Sequence, residues 1–304
     1  MAEKKRNHTV PEVYLKSFAI PRKKKHYLFA YDKKQDTVFQ SEIGNLSVER
    51  DFYRAEILEN PVAIENYYCD YVEKPLAGLL PPIIKRATLN VLRLESPVIT
   101  LKEKAWLSFQ MIYQLERGRV ARSFSERIAP EIVLEVEKQI QLELSDQSIP
   151  DLRERIRRIT ANQDEIKFAM LKASIDPKRI QRIAKYLYDR CWVLYRIDGD
   201  DEFITSDNPV MLACNLDATP YSNGLAYETT VVYYPISDRL MFALYSYDYC
   251  LGQFNSLDSC LVPLNAIKEK RFINLVNQMQ IKQCQLQAYA KSEKTLRDLI
   301  ETLQ

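Results

Sequence analysis

Glycine is scarce in this sequence, which has 6 Gly among 304 residues but 14 Pro and 19 Tyr. Average usage is roughly 7% glycine, about three times the amount present. None of the patterns G-x-G-x-x-G, G-x-x-x-x-G-K-S/T and G-x-S-x-G occurs, and in these motifs glycine backbone holds a phosphate or presents a nucleophile. The sequence therefore argues against a Rossmann dinucleotide site, a P-loop NTPase and a common α/β-hydrolase.

Histidine is rarer still, since His8 and His26 are the two imidazoles of the chain. That number excludes a metal centre or catalytic site built from several histidines. The 6 cysteines show no C-x-x-C spacing, so we expect no structural zinc and a cytoplasmic location with free thiols. The opening MAEKKRNH is not apolar, and no stretch approaches the roughly 18 apolar residues of a membrane helix. We therefore expect no membrane association.

Hydrophobic residues make up 46% of the chain and charged residues 28%, a balance typical of globular proteins. The length is close to the limit of about 250 to 300 residues for one core, and we expect a single α+β domain over 1–304. It would comprise an N-terminal strand module (1–60), a helical subdomain (61–190) and a strand-rich part with a C-terminal helix (191–304).

The net charge of +2 conceals two basic stretches, residues 1–25 with a local charge of +6 and residues 151–185 with +5. Clusters of this kind suit phosphate-bearing partners such as nucleic acids. A solvated helix face and a basic tail are the alternative interpretation.

Hydrophobic periodicity predicts the elements. Apolar and polar residues alternate at 26–32 and at 37–43, on either side of KKQD, and this pattern indicates a β-hairpin. Helical spacing predicts a helix from Pro61 that stops at Pro81-Pro82, and a long helix capped by Thr100 and Glu103. Further helices are predicted over 131–144, 151–173 and from Pro177 to about 188.

After residue 190 the period changes from helical to alternating. Strands are predicted at 192–197, 202–206, 229–236 and 239–246, with 198–200 as a hairpin turn, followed by one helical element over 268–303. The predicted fold is α+β, with a mixed or antiparallel sheet built from N- and C-terminal strands, a large helical insertion and a C-terminal helix.

His8 begins the pattern H-x-x-P-x-x-Y-L-x-x-F, which continues through Pro11 and Tyr14 to Phe18. Histidine titrates near neutral pH, so an imidazole beside a backbone fixed by proline is a candidate acid/base, with Tyr14 beside it. Alternatively, the imidazole forms hydrogen bonds that hold the N-terminal segment on the core.

Ser206, Asp207 and Asn208 follow a predicted strand, and Pro209 ends it. Turn-forming residues at a strand end place a carboxylate and an amide at the rim of a sheet, where they can hold a metal, a phosphate or the imidazole of His8. The alternative is an Asx turn that caps the strand.

Four carboxylates are candidates for the Mg²⁺ site that nucleases use: Glu49, Asp51, Glu65 and Asp207. The restriction-type spacing, an Asp followed by Glu-x-Lys, is not present in clean form. Glu49 with Arg50 as an internal ion pair is the alternative, and Mg²⁺ stays an open possibility without assigned ligands.

Gln110, Gln114 and Arg117 recur at helical spacing on the helix that follows Thr100, so they share one face. This polar stripe could reach into a site between the helical and sheet parts of the protein. The alternative is that the stripe faces solvent. Nearby arginines would add an anion-binding surface, namely Arg119, Arg122 and Arg127.

Three motifs occur in order: H-x-x-P-x-x-Y-L-x-x-F at 8–18, E-R-D-F-Y at 49–53 and F-I-T-S-D-N-P at 203–209. With Gln114, Arg117, YYPIS at 233–237 and Asn277, they resemble the uncharacterised bacterial domain-of-unknown-function family 4238 over roughly residues 7 to 290. The resemblance implies a cytoplasmic bacterial or phage protein without an established activity. It marks candidate residues rather than a reaction.

Two functions remain open. The first is a nuclease- or phosphoesterase-type hydrolase acting on nucleic acid or another phosphate-containing substrate. Its candidate catalytic residues are His8, Tyr14 and Asp207, and its candidate substrate-binding residues are Gln114, Arg117, Ser206 and Asn208. The second is a non-enzymatic interaction or regulatory protein in which the same residues form a structural network.

Overall fold

The computed structural model describes residues 6–54, 58–89, 97–123, 163–214 and 224–303. The helices are α1 (Glu12–Leu15), α2 (Ala63–Tyr68), α3 (Lys74–Leu89), α4 (Leu101–Arg117), α5 (Gln163–Ser174), α6 (Pro177–Tyr188), α7 (Lys270–Gln283) and α8 (Glu293–Glu301). The strands are β1 (Arg6–His8), β2 (Ile20–Arg22), β3 (Lys25–Asp32), β4 (Thr37–Glu42), β5 (Val48–Arg50), β6 (Cys191–Asp198), β7 (Thr205–Ser206), β8 (Met211–Cys214), β9 (Thr230–Pro235), β10 (Leu240–Tyr245), β11 (Leu261–Asn265) and β12 (Gln287–Ala290).

The strands form two larger sheets and one small pair. The first sheet has the order β2-β3-β12-β7, with β4 paired to β3, so strands from both ends of the chain share it. The second sheet has the order β11-β6-β10-β9-β8 and is mixed, because β11 runs parallel to β6 and the other pairs are antiparallel. The small pair joins β1 to β5. The α+β fold with N- and C-terminal strands in one sheet is confirmed.

The hairpin of β3 and β4 is confirmed and rests on local chemistry. Asp32 ends β3, and its Oδ1 accepts hydrogen bonds from the backbone N–H groups of Lys34 and Gln35, both at 3.0 Å. This Asx turn reverses the chain, and Asp32 pairs with Thr37 across it.

The predicted hairpin across 198–200 is wrong, because β6 and β7 belong to different sheets. β6 is buried along nearly its whole length and pairs with β10 and β11. The segment after Gly199 lies against the first sheet, where the Glu202 carboxylate accepts the backbone N–H groups of Lys291 and Ser292 at 3.1 and 3.0 Å. Both edges of β6 are already paired, with β10 and β11, so β6 has no free edge for β7.

The predicted helix stop at Pro81-Pro82 is also wrong, because α3 continues through both prolines. A proline in a helix interior costs about 3 kcal/mol, whereas burying a Leu or Ile side chain contributes about 1.5 to 3 kcal/mol. α3 buries a single apolar face on both sides of the prolines, formed by Leu76, Leu80, Ile83 and Ala87. This burial offsets the cost of the exposed proline pair.

Residues 268–303 do not form the single helical element expected there. They form α7, the short strand β12 and α8. The helix α7 ends at Gln283. Residues 285–287 donate their backbone N–H groups to the Asp207 carboxylate instead of to helical carbonyls, so the helix does not continue. β12 then completes the first sheet between β3 and β7.

The other predicted elements are a strand and three helices. The strand predicted at 202–206 contracts to Thr205–Ser206. The helix predicted over 131–144 lies outside the described residues, and that over 151–173 is described only from α5 onward. The helix from Pro177 is confirmed and carries Asp176 as its N-cap.

One buried apolar cluster contains residues from each of the three expected parts, among them Leu15, Ile83, Leu107 and Phe242. The division into one domain with three parts stays a prediction. Within the described ranges, no helix is both long enough and apolar enough to cross a bilayer.

The N-terminus of α4 has the expected capping box. Thr100 Oγ1 accepts the Glu103 backbone N–H at 3.2 Å, and Glu103 Oε2 accepts the Thr100 backbone N–H at 2.8 Å. We predict that Thr100→Ala lowers the free energy of unfolding by about 1 kcal/mol, the usual value of an N-cap. Urea denaturation measures this change.

Thr88→Ala is the matched control. Thr88 is exposed near the end of α3 and its hydroxyl bonds within the same helix to the Ile84 carbonyl. Because alanine favours helix, we expect a change within about 0.5 kcal/mol. Equal losses in the two variants would contradict the capping role of Thr100.

Candidate functional site

A cleft of about 660 Å³ lies beside the N-terminal strand β1, and we call it the His8 cleft. Its walls come from β1, α1, the segment after β5, the helices α2 and α3 with the π-helical turn between them, and the end of α4. The lining residues are Arg6, Asn7, His8, Glu12, Val13, Tyr53, Glu65, Tyr68, Cys69, Glu73, Lys74, Ala77 and Arg117.

His8 is placed in this cleft by the pairing of β1 with β5. His8 lies opposite Val48, and the next residue, Thr9, donates its backbone N–H to Ser47 at 2.8 Å. Pro11 then starts α1, which puts Glu12 one helical turn from His8. His8 Nε2 lies 3.2 Å from Glu12 Oε1. The H-x-x-P motif therefore sets an imidazole beside a carboxylate.

Burial lowers the pKa of His8 below its usual 6.5, although the carboxylates of Glu12 and Glu73 oppose the shift. The imidazole is therefore mainly neutral at pH 7. Its buried Nε2 makes no hydrogen bond of good geometry with any described residue, while the backbone of Gly44 bonds to the ring. A neutral imidazole with Nε2 available is a proton acceptor.

Arg117 lies in the last turn of α4 and is 2% exposed. Its Nε donates to the Tyr53 hydroxyl at 3.1 Å, and its Nη2 donates to the His8 carbonyl at 2.6 Å and to Glu73 Oε1 at 2.9 Å. The guanidinium also lies 4.7 Å from the centre of the Tyr68 ring. These partners raise the pKa of Arg117 despite its burial, so the cation persists at the base of the cleft.

The polar stripe on α4 does not face solvent. Gln110, Gln114 and Arg117 are all buried. Gln114 Nε2 donates to the Thr9 carbonyl at 3.0 Å, so Gln114 supports the residue that follows His8. It is not among the described residues that line the cleft.

Tyr14 is fully buried away from the cleft. Its hydroxyl lies 2.8 Å from Thr205 Oγ1 in β7 and donates to the Pro235 carbonyl in β9 at 2.6 Å. The ring stacks on Tyr234 with centroids 5.4 Å apart. Burial raises the pKa of the phenol well above its usual value. Tyr14 therefore connects the two sheets through its hydroxyl.

Asp207 is likewise held by the fold rather than by His8. Its Oδ1 accepts the backbone N–H of Gln285 at 2.8 Å, and its Oδ2 accepts those of Leu286 at 2.7 Å and Gln287 at 3.3 Å. Burial raises the pKa of the carboxyl, and the three amides oppose that rise. Asp207 forms the junction between α7 and β12.

Ser206 and Asn208 complete this junction. Ser206 Oγ donates to Gln280 Oε1 at 2.6 Å and accepts the Asn208 backbone N–H at 3.0 Å. Asn208 Nδ2 donates to the Gln283 carbonyl at 3.2 Å. The F-I-T-S-D-N-P motif thus docks α7 onto the first sheet.

The four carboxylates considered for Mg²⁺ are not gathered into one metal site among the described residues. Glu49 pairs with Arg119 at 2.7 Å and is near enough to Asp207 for their charges to interact. Asp207 accepts backbone amides, and Glu65 lines the His8 cleft. No group of three or more His, Cys, Asp or Glu residues in the described part of the chain is arranged to hold a metal ion.

The structure therefore brings His8 and Arg117 together and places Tyr14, Ser206, Asp207 and Asn208 elsewhere. It adds Glu12 and Glu73, which the sequence did not single out. The sequence could have indicated Glu12, because it lies four residues after His8 and both can meet at the start of a helix. Nothing in the sequence pointed to Glu73, because its partner Arg117 is 44 residues away.

We predict that Asp207→Asn lowers the free energy of unfolding by about 2 kcal/mol. The substitution keeps the volume, but in either orientation the new amide group faces a backbone N–H, and a buried donor left without an acceptor costs about 1 to 3 kcal/mol. Chemical denaturation measures this. The exposed Asp200 provides the control, since Asp200→Asn should stay within about 0.5 kcal/mol.

Comparison with known proteins identifies the family of this chain. No match to the chain is found among curated proteins or among solved structures. The sequence profile of a family described as "Protein of unknown function (DUF4238)" matches residues 6–294, nearly the whole chain, and covers the His8 cleft and the Asp207 junction alike. The chain belongs to this family.

Proposed function

We propose that this protein is a hydrolase of phosphate-containing substrates, of the nuclease or phosphoesterase type, with His8 as its general base. The observation that supports this most directly is the His8 side chain in the wall of the cleft, whose buried Nε2 makes no hydrogen bond of good geometry with the described residues and whose pKa is lowered by burial. Such an atom is the usual means of activating a water nucleophile. Glu12 at 3.2 Å would stabilise the imidazolium once it forms.

In the proposed reaction, Nε2 of His8 takes a proton from a water molecule as the water oxygen bonds to phosphorus. The bond from phosphorus to the leaving oxygen breaks, and the imidazolium returns its proton to that oxygen. Arg117, fixed beside the His8 backbone, stabilises the charge that develops on the phosphoryl oxygens.

The charges of the cleft shape what it can bind. Basic and acidic lining residues are equal in number among the described residues: Arg6, Lys74 and Arg117 against Glu12, Glu65 and Glu73. Phosphate recognition therefore depends on individual cations rather than on a generally positive surface. The size of the cleft suits a nucleotide-sized part of a substrate.

A cytoplasmic location belongs to the same proposal. Among the described residues, Cys69, Cys191, Cys260 and Cys284 are free thiols, as is usual in reducing compartments.

A second candidate is the non-enzymatic interaction or regulatory protein. It is favoured by the residues of the Asp207 junction and by Tyr14 and Gln114, which all form hydrogen bonds within the fold. Under this alternative, His8 contributes to stability and to no reaction.

Paired histidine variants separate the two candidates. We expect His8→Ala to lower kcat/KM for bis(4-nitrophenyl) phosphate by about 100-fold or more, the usual contribution of a general base. His26→Ala, which changes the other imidazole of the chain on β3, should retain the wild-type rate. Melting temperatures of both variants would be recorded alongside.

Three outcomes contradict the hydrolase proposal. They are a wild-type rate in His8→Ala, an equal loss in both variants, or no hydrolysis by the wild type of this ester, of nucleotides or of nucleic acid. A lower melting temperature without a change in rate would support the structural candidate.

The pH dependence provides an independent check. Because burial lowers the pKa of His8, the base form persists on acidification. We expect the acid limb of kcat/KM to have its midpoint below 6.5, the ordinary histidine value, with the full rate at neutral pH. Initial rates across about pH 4.5 to 8 measure this. An acid limb centred above 6.5 would exclude His8 in the stated role.

A further inference from the structure

The strand pair of β1 and β5 carries two arginines directly opposite each other, Arg6 and Arg50. Residues that face each other across an antiparallel pair lie on the same side of it, with their Cβ atoms about 4.5 to 5.5 Å apart. Side chains alternate between the two sides along a strand, so His8, two residues after Arg6, shares this side. The strand pair therefore presents two arginines beside the imidazole.

Arg6 is also tied to His8 through a third residue. Its Nη2 donates to the Gly44 carbonyl at 3.2 Å and to Asn45 Oδ1 at 2.9 Å. The backbone of Gly44 bonds to the imidazole of His8 as well. Groups bonded to the same peptide unit lie close together, and Arg6 is among the residues that line the His8 cleft. Its guanidinium thus lies in the cleft wall next to the proposed general base.

The described hydrogen-bond acceptors of Arg6 are neutral, in contrast to those of the other cations in the cleft wall. Arg117 is paired with Glu73 at 2.9 Å. Lys74 is paired with Asp70 at 2.6 Å. Arg6 forms no ion pair within the described ranges. A carbonyl and an amide orient its guanidinium without cancelling the charge, so Arg6 can bind an anion with its remaining donors.

Arg50 extends this cation beyond the cleft. It is exposed, forms no ion pair with a residue of the described part of the chain, and does not line the cleft. Like charges directly opposite each other destabilise a strand pair. An anion held between Arg6 and Arg50 would remove that repulsion, and guanidinium groups match the geometry of phosphate oxygens.

The size of the cleft and its charges indicate the kind of ligand. A volume of about 660 Å³ suits one nucleotide rather than a base-paired segment. Glu12 and Glu65 also line the cleft, so the arginines act on a phosphate in direct contact rather than by long-range attraction. A strand with one nucleotide in the cleft would bring its next phosphate to the rim, where the arginine pair lies.

We propose that Arg6 and Arg50 together bind a backbone phosphate of a single-stranded nucleic acid that has one nucleotide in the His8 cleft. The two guanidinium groups hold the phosphate that flanks this nucleotide and so position the strand against His8. That the bound strand is also the substrate rests on the proposed hydrolase, whereas the binding itself requires no hydrolysis.

Salt-dependent binding to the full chain tests the arginine pair. The probe is a fluorescently labelled oligothymidylate with phosphorothioate linkages, which keep the charge and resist cleavage, and anisotropy measures its affinity. For single strands, log Kobs changes with log salt by a slope of about −0.7 per phosphate contact. We expect Arg6→Gln and Arg50→Gln each to weaken binding by about tenfold. The double variant should also lose about 0.7 of the slope, which a purely structural role would not change.

Arg271→Gln is the matched control. Arg271 is likewise exposed and forms no ion pair within the described ranges, but it lies on α7 and does not line the cleft. This variant removes the same charge and should keep the wild-type affinity and salt slope. Melting temperatures would be recorded for all variants, and Arg50→Gln should be no less stable than the wild type because it removes a like-charge contact.

The assignment is overturned if the wild type shows no saturable binding, or if the double variant binds with the affinity and salt slope of Arg271→Gln. Its failure is distinguishable from that of the hydrolase. Ester hydrolysis that is lost in His8→Ala, with unchanged strand binding in the double variant, would remove the arginine site and leave the hydrolase. Arginine-dependent binding with a wild-type rate in His8→Ala would do the reverse.

Discussion

The Arg117 guanidinium is a buried cation on which the surrounding structure depends. Removing such a charge from water costs several kcal/mol unless it is paired and hydrogen-bonded. Glu73 and the His8 carbonyl bond to Nη2, the Tyr53 hydroxyl bonds to Nε, and the Tyr68 ring covers the cation. These partners come from β1, the segment after β5, α2 and the π-helical turn. One side chain thus holds together four parts of the chain, and the cleft is the space between them.

The motif residues divide into two polar networks with different degrees of completion. Around Asp207, the carboxylate is matched by three backbone amides, and Tyr14 connects the sheets with its hydroxyl fully used. A complete buried network stabilises and specifies a fold. Around Arg117, by contrast, Nη1 of the arginine and Nε2 of His8 make no hydrogen bond of good geometry with the described residues, although Nε2 lies 3.2 Å from Glu12 Oε1. Incomplete buried groups are where ligand atoms are expected, and for this reason the proposed hydrolase has its site at the second network.

Local rules predicted the elements whose causes lie within a few residues. The Asp32 turn and the Thr100 capping box are examples, because each hydrogen bond spans three residues or fewer. Prediction failed where a distant partner decided the outcome. β6 pairs with β10 and β11 rather than across Gly199, and the expected C-terminal helix is interrupted because Asp207, some 80 residues earlier, binds its backbone. Competition between local and distant hydrogen bonds is not visible in a short window of sequence.

The sequence by itself determined the α+β order, the absence of a glycine phosphate loop and the membership of His8, Arg117 and Asp207 in one motif set. Those properties depend on composition, periodicity and residue order. Only the tertiary structure decided which motif residues meet. It joined His8 to Arg117 and moved Asp207 to a helix–strand junction. The physical reason is that burial, charge pairing and hydrogen-bond satisfaction depend on neighbours that only the folded chain brings together.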